Sequence, residues 1–227
     1  MKTHITLILT LAMISCASEN QQKGLDLIAK HYHTETSFSK GFKTNAGKTT
    51  SRFNIKVSNS PMLDTLRQDI TASNIALMLY ESFTEDEKDD YDFINVELQK
   101  DSLEESHKAL YDIQQLSRAL DQAAIFTNFS ENLLQKNYNG IVQNIADRYQ
   151  NPKLAGNLEA FMNGLYKAHG NLIEYKRIGF GIYTKPNNEK LFHYSGHLKF
   201  ADGYIRPFIL TTSMNVSNDY IEGYKLD

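Results

Sequence analysis

The last quarter of the chain limits its fold more than any other stretch. Four strand-like runs, Leu172 to Tyr183, Leu191 to Phe200, Tyr204 to Val216 and Asp219 to Leu226, are joined by Pro186-Asn187-Asn188, Ala201-Asp202-Gly203 and Ser217-Asn218. Joints this short allow hairpins but not the crossover of a dozen or more residues that parallel strands need, so an antiparallel meander is expected. In the second run Phe192, Tyr194, Leu198 and Phe200 alternate with His193, Ser195, His197 and Lys199. The period of two puts the apolar set on one face, and that face needs a covering layer.

The preceding helices can supply it. Leu120, Ala123, Ala124, Phe126 and Leu133 mark one long helix that Asn137-Tyr138-Asn139-Gly140 interrupts. Ile141, Ile145 and Tyr149 continue as a short second helix, and Leu154, Leu158, Phe161, Met162 and Leu165 stripe a third that stops at His169-Gly170. Residues 117–227 are therefore read as three helices packed on a curled antiparallel four-stranded sheet. Residues 24–116 read as a smaller helix/strand layer. It opens with a helical stripe at Leu25, Ile28 and Tyr32, followed by alternation at Phe53, Ile55 and Val57. A helix of about five turns from Leu63 to Phe83 and a second alternation at Ile94, Val96 and Leu98 come next, then a third strand near Ala109 to Ile113. The fold class is α+β in two units. With 227 residues, 41% of them hydrophobic, the chain is long enough for two cores of about 100 residues each. A formal charge of -3 offers no basic field for nucleic acid, and no nucleic-acid partner is expected.

The single Cys of the sequence is Cys16. Ahead of it, Met1-Lys2-Thr3-His4 gives a positive start to an apolar run from Ile5 to Ile14, too short for a permanent span, which takes roughly 20 residues. Ala17 to Lys23 is polar. This reads as a signal peptide over residues 1–15 with a tether over 16–23. Ser15-Cys16 resembles the lipobox of bacterial lipoproteins, with Met13 where Leu is usual. The resemblance implies a mature chain that starts at Cys16, its thiol carrying diacylglycerol, and a membrane as its first partner. It implies a location in the bacterial cell envelope, facing the periplasm or the cell surface.

Three helices followed by a curled sheet resemble the nuclear-transport-factor-two-like cone fold of ketosteroid isomerases and polyketide cyclases. The resemblance covers about residues 117–227 and is one of element order. The closing Asp219-Tyr220-Ile221-Glu222-Gly223-Tyr224 is similar to the last strand of many bacterial envelope members. It implies an interior pocket, for which Phe126, Tyr149, Phe161, Tyr166, Phe180, Tyr194 and Phe208 are the candidate lining. Aromatic residues at these periods are more often core than pocket lining, and thirteen Tyr and twelve Phe with no Trp suit a well-filled interior.

Other clusters read as structure. His193 and His197 would share a metal on a helix but stand roughly 13 Å apart along a strand. Ser195-Gly196 lacks the Gly two positions earlier that a hydrolase elbow needs, His193 standing there. His31 and His33 fall at a helix end. Glu85 to Asp92 is acidic but lacks calcium-loop spacing; Thr84 with Glu87 instead spells a capping box. No metal and no cofactor is expected. The sequence thus favours an anchored, non-catalytic binding or accessory protein, with a small hydrophobic ligand or an envelope protein as partner. An isomerase- or cyclase-like enzyme, and an immunity or assembly protein, are the alternatives.

Overall fold

The computed structural model describes residues 16–45, 48–100, 105–215 and 219–226, so the expected signal peptide over residues 1–15 and the Ser217-Asn218 joint lie outside it. The order is α1 (Glu19–Tyr32), β1 (Glu35–Asn45), β2 (Lys48–Ser58), α2 (Pro61–Thr65), α3 (Gln68–Ser82), α4 (Glu85–Asp89), β3 (Phe93–Leu98) and β4 (His107–Asp112). Then come α5 (Ile113–Leu134), α6 (Tyr138–Gln143), a 3-10 turn at Asp147–Tyr149, α7 (Leu154–His169), β5 (Leu172–Thr184), β6 (Lys190–Phe200), β7 (Ile205–Ser213) and β8 (Ile221–Leu226). The class is α+β.

The first sheet runs β1-β2-β3-β4, antiparallel except for the parallel β2/β3 pair, whose crossover is the α2 to α4 segment. Phe53, Ile55 and Val57 pair with Ile94, Val96 and Leu98, and all six are buried. β1 escapes a reading by periodicity because it is an edge strand: of its apolar side chains, Phe38 reaches the core, stacking on Phe53 at 5.5 Å, while Phe42 stays out. The second sheet is the expected meander, β5-β6-β7-β8. Its inner face carries Phe192, Tyr194, Leu198 and Phe200, all buried, beneath α5.

The helix expected from Leu63 to Phe83 is two helices. Leu66 and Arg67 are extended, and the Lys100 ammonium donates to the carbonyls of Asp64 and Leu66 at 3.2 Å, satisfying the end of α2. Beyond the break α3 is buried on every side from Thr71 to Leu77, with Leu79 and Tyr80. It packs on α1, β3, β4, α5 and β5, and so touches both sheets. Against β5 the approach is backbone to backbone: a Cβ on Gly179 would stand 2.2 Å from the Ile70 carbonyl oxygen, and φ there is +154°. The Phe180 amide donates to Ser73 Oγ at 2.9 Å, so α3 covers an otherwise open strand edge.

Two of the expected boundaries fall within regular elements. Asp112, the last residue of β4, is itself the N-cap of α5, its carboxylate accepting from the amides of Gln114 and Gln115, so no linker lies near residue 116. Of the expected tether, residues 19–23 are the first turn and more of α1, and Gln21 is buried.

Candidate ligand groove and the Cys16 end

The break between α2 and α3 makes a wall. Leu66, Ile70 and their neighbours stand over the outer face of the second sheet, where Ser195 and His197 of β6 lie beside their cross-strand partners Ile209 and Pro207 of β7. A register shift between Arg177 and Gly179 brings Ile178 to the same rim. The resulting groove holds about 400 Å³, the size of a small-molecule site. Its surface is mostly aliphatic, with Thr65, Thr71, Ser195 and His197 as polar points and Arg67 at the mouth, held to Asp69 at 2.7 Å.

The electrostatics favour uncharged imidazoles. Burial lowers the His197 pKa, and the neighbouring Lys176 ammonium lowers it further; burial alone lowers that of His193. His193 stacks on Tyr183 at 5.0 Å. Among the described residues no hydrogen bond engages Ser195 Oγ or the His197 ring, so both can serve a ligand. The groove therefore presents a mainly apolar surface with one or two hydrogen-bonding groups.

The seven aromatic candidates do not share one pocket. Phe126 stacks on Phe208 at 5.1 Å and meets Tyr194 at 6.1 Å; Tyr194 meets Phe180 at 6.2 Å and donates its hydroxyl to the Ala119 carbonyl at 2.6 Å. These four fill the space between α5 and the inner face. A Cβ on Gly196 would stand 2.3 Å from Phe208 and 2.6 Å from Phe126, so glycine is what lets those rings close on the strand. Phe208 also borders the groove. Tyr149 is 46% exposed under the Arg148 guanidinium and Phe161 38% exposed under that of Arg206, so neither lines an interior. Tyr166 is half-buried, with the Lys136 ammonium 4.5 Å from its ring centre. Glu222, its side chain 1% exposed, is paired with Arg148 and Lys185, and both cations also reach Glu189, which ties β8 to the β5–β6 turn.

The remaining clusters sit apart. His31 packs on Tyr32 at 4.6 Å, while His33 is the left-handed cap of α1 at φ 49°. The acidic run is α4, capped through Thr84 and Glu87 in both directions. Among the described residues no three of His, Cys, Asp and Glu come together as metal ligands do, and no helix is long and apolar enough to cross a membrane. Cys16 is exposed. Two residues on, Ser18 caps α1 in a capping box with Gln21 and donates its hydroxyl to Glu87 of α4. No family model, curated protein or solved structure matches the chain.

Sequence reasoning found the polar face of β6 but not the groove, because its second wall comes from a helix more than 100 residues earlier. Gly179 and Gly196, each inside a strand, were the available hint, since a strand glycine marks close approach of another group.

Proposed function

We propose that the protein is a lipid-anchored component of the bacterial cell envelope, held by Cys16, whose folded part is a non-catalytic binding module for a small, mainly apolar ligand. The anchor is supported by the apolar leader ending at the single Cys. The observation that carries the binding role is the groove, where an imidazole with a lowered pKa and a hydroxyl lie among aliphatic residues. A nucleophile needs a base in hydrogen-bond reach and a group that orients that base. Ser195 and His197 are not so linked, and Lys176 rather than a carboxylate neighbours the imidazole, which favours holding a ligand over converting it.

Two measurements test the two halves. Cys16→Ala is expected to move the protein out of the membrane fraction or leave the precursor uncleaved, and unchanged processing and retention would refute the anchor. The apolar dye anilinonaphthalene sulfonate is expected to bind saturably with enhanced emission. Ser195→Phe, which fills the groove from its floor, is expected to abolish that binding at an unchanged melting temperature. Dye binding that survives Ser195→Phe, or none in the parent chain, removes the ligand role.

A further inference from the structure

We infer that the end of the molecule carrying Cys16 is a membrane-contact surface, and that Phe42, on the projecting β1–β2 hairpin, inserts its ring into the bilayer beside the anchor. The setting rests on the anchored reading of Cys16; the contact itself rests on the hairpin's geometry. α1 has 14 residues and spans about 21 Å at 1.5 Å per residue. The chain reverses at His33, and β1 returns at about 3.3 Å per residue, so it draws level with the start of α1 after six or seven residues, near Gly41 and Phe42. Cys16 and Phe38 border one surface depression, which agrees with this alignment.

The anchor has almost no slack. Ser18 is fixed by its capping box and by Glu87, so only Ala17 lies between the acylated position and the folded body, a reach of about 7 Å over two residue steps. The headgroup layer of one leaflet is itself about 5–8 Å deep. The end of the body must therefore rest in that layer, and β1 runs on from Phe42 to Asn45, about 10 Å further.

The side chain presented there is apolar. Phe42 is 78% exposed, the highest value for a large apolar residue among the described residues. It lies on the same strand face as Phe38, four residues along, but past the point where that face meets the core. Lys40 and Lys43 flank it. Carboxylates stand at the same end: Asp92 accepts from the amide of Ser51, the cross-strand partner of Phe42, and Glu87 accepts from Ser18. With both signs present, contact depends on inserting the ring and not on headgroup charge.

The sequence supplies the reporter and the coupling site, since it has no Trp and one Cys. The chain from residue 16 keeps every described contact. It is coupled through the Cys16 thiol to a maleimide-headgroup lipid in phosphatidylcholine vesicles, so the anchor is present whether or not cells acylate it. With Phe42→Trp, emission is expected to shift to the blue and to be quenched by brominated lipid, equally with and without anionic lipid. With Ile205→Trp, an exposed site on the other sheet, neither change is expected. Phe42→Trp emission that stays at its solvent-exposed value, or quenching no greater than for Ile205→Trp, overturns the contact. Since the coupling is chemical, failure of the Cys16→Ala test leaves this result readable on its own.

Discussion

Gly196 illustrates how one residue can decide the packing of a whole layer. Its missing side chain admits Phe126 and Phe208, and Gly196→Ala forces both rings to move; overpacking of this kind costs about 1–3 kcal/mol, so a lower melting temperature with retained far-UV circular dichroism is expected. The histidines set a pH dependence. His31, His193 and His197 all have lowered pKa values, with burial the first cause in each case, so the unfolded chain takes up their protons at a higher pH than the folded one. Their contribution to stability is complete above the ordinary imidazole value of 6.5 and declines as pH falls through it toward the lowered folded values. Melting temperature is expected to drop between pH 7.5 and roughly 5, and less steeply in a His193→Gln, His197→Gln double variant. Carboxylates such as Asp69 and Asp202, whose pKa values are lowered, act in a separate window below about pH 4. The facing of each of these β6 side chains was legible in the sequence because alternation is a local property. Their protonation was not, since it depends on what lies over them.

Elements with a strong local pattern were also legible. Thr84 and Glu87 announce the start of α4 from their spacing, and Phe53, Ile55 and Val57 announce β2. β1 was not legible, because an edge strand owes its conformation to the backbone bonds of its partner and needs few apolar side chains. Nor was the break between α2 and α3, where apolar spacing continues across Leu66 although Leu66 and Arg67 are extended and Lys100, from after β3, donates to the carbonyls of Asp64 and Leu66. Lys100→Ala is expected to destabilise the fold by on the order of 1–2 kcal/mol. Because that joint is also the groove wall, it should weaken dye binding as well. Full dye affinity in a destabilised Lys100→Ala protein would separate the joint from the site.

At the scale of the whole molecule, α3 decides the architecture. It is buried between the two sheets, and Ser73 bridges it to β5 through the Phe180 amide. Ser73→Ala leaves that buried amide unpaired, at a cost of about 1–3 kcal/mol. With one helix shared by both sheets and no linker at Asp112, unfolding is expected as a single cooperative transition, with near- and far-UV signals coincident in the parent and in Ser73→Ala. Two separated transitions would return the chain to two independent units. By itself the sequence determined the meander and the inward and outward faces of β2, β3 and β6, because short joints and period-two patterns act over a few residues. The tertiary structure alone decided that the two sheets share α3, that Phe126, Tyr194 and Phe208 fill the interior, and that the candidate groove lies on the opposite face. Those outcomes depend on contacts between residues 50 to 100 or more positions apart, for which no local pattern exists.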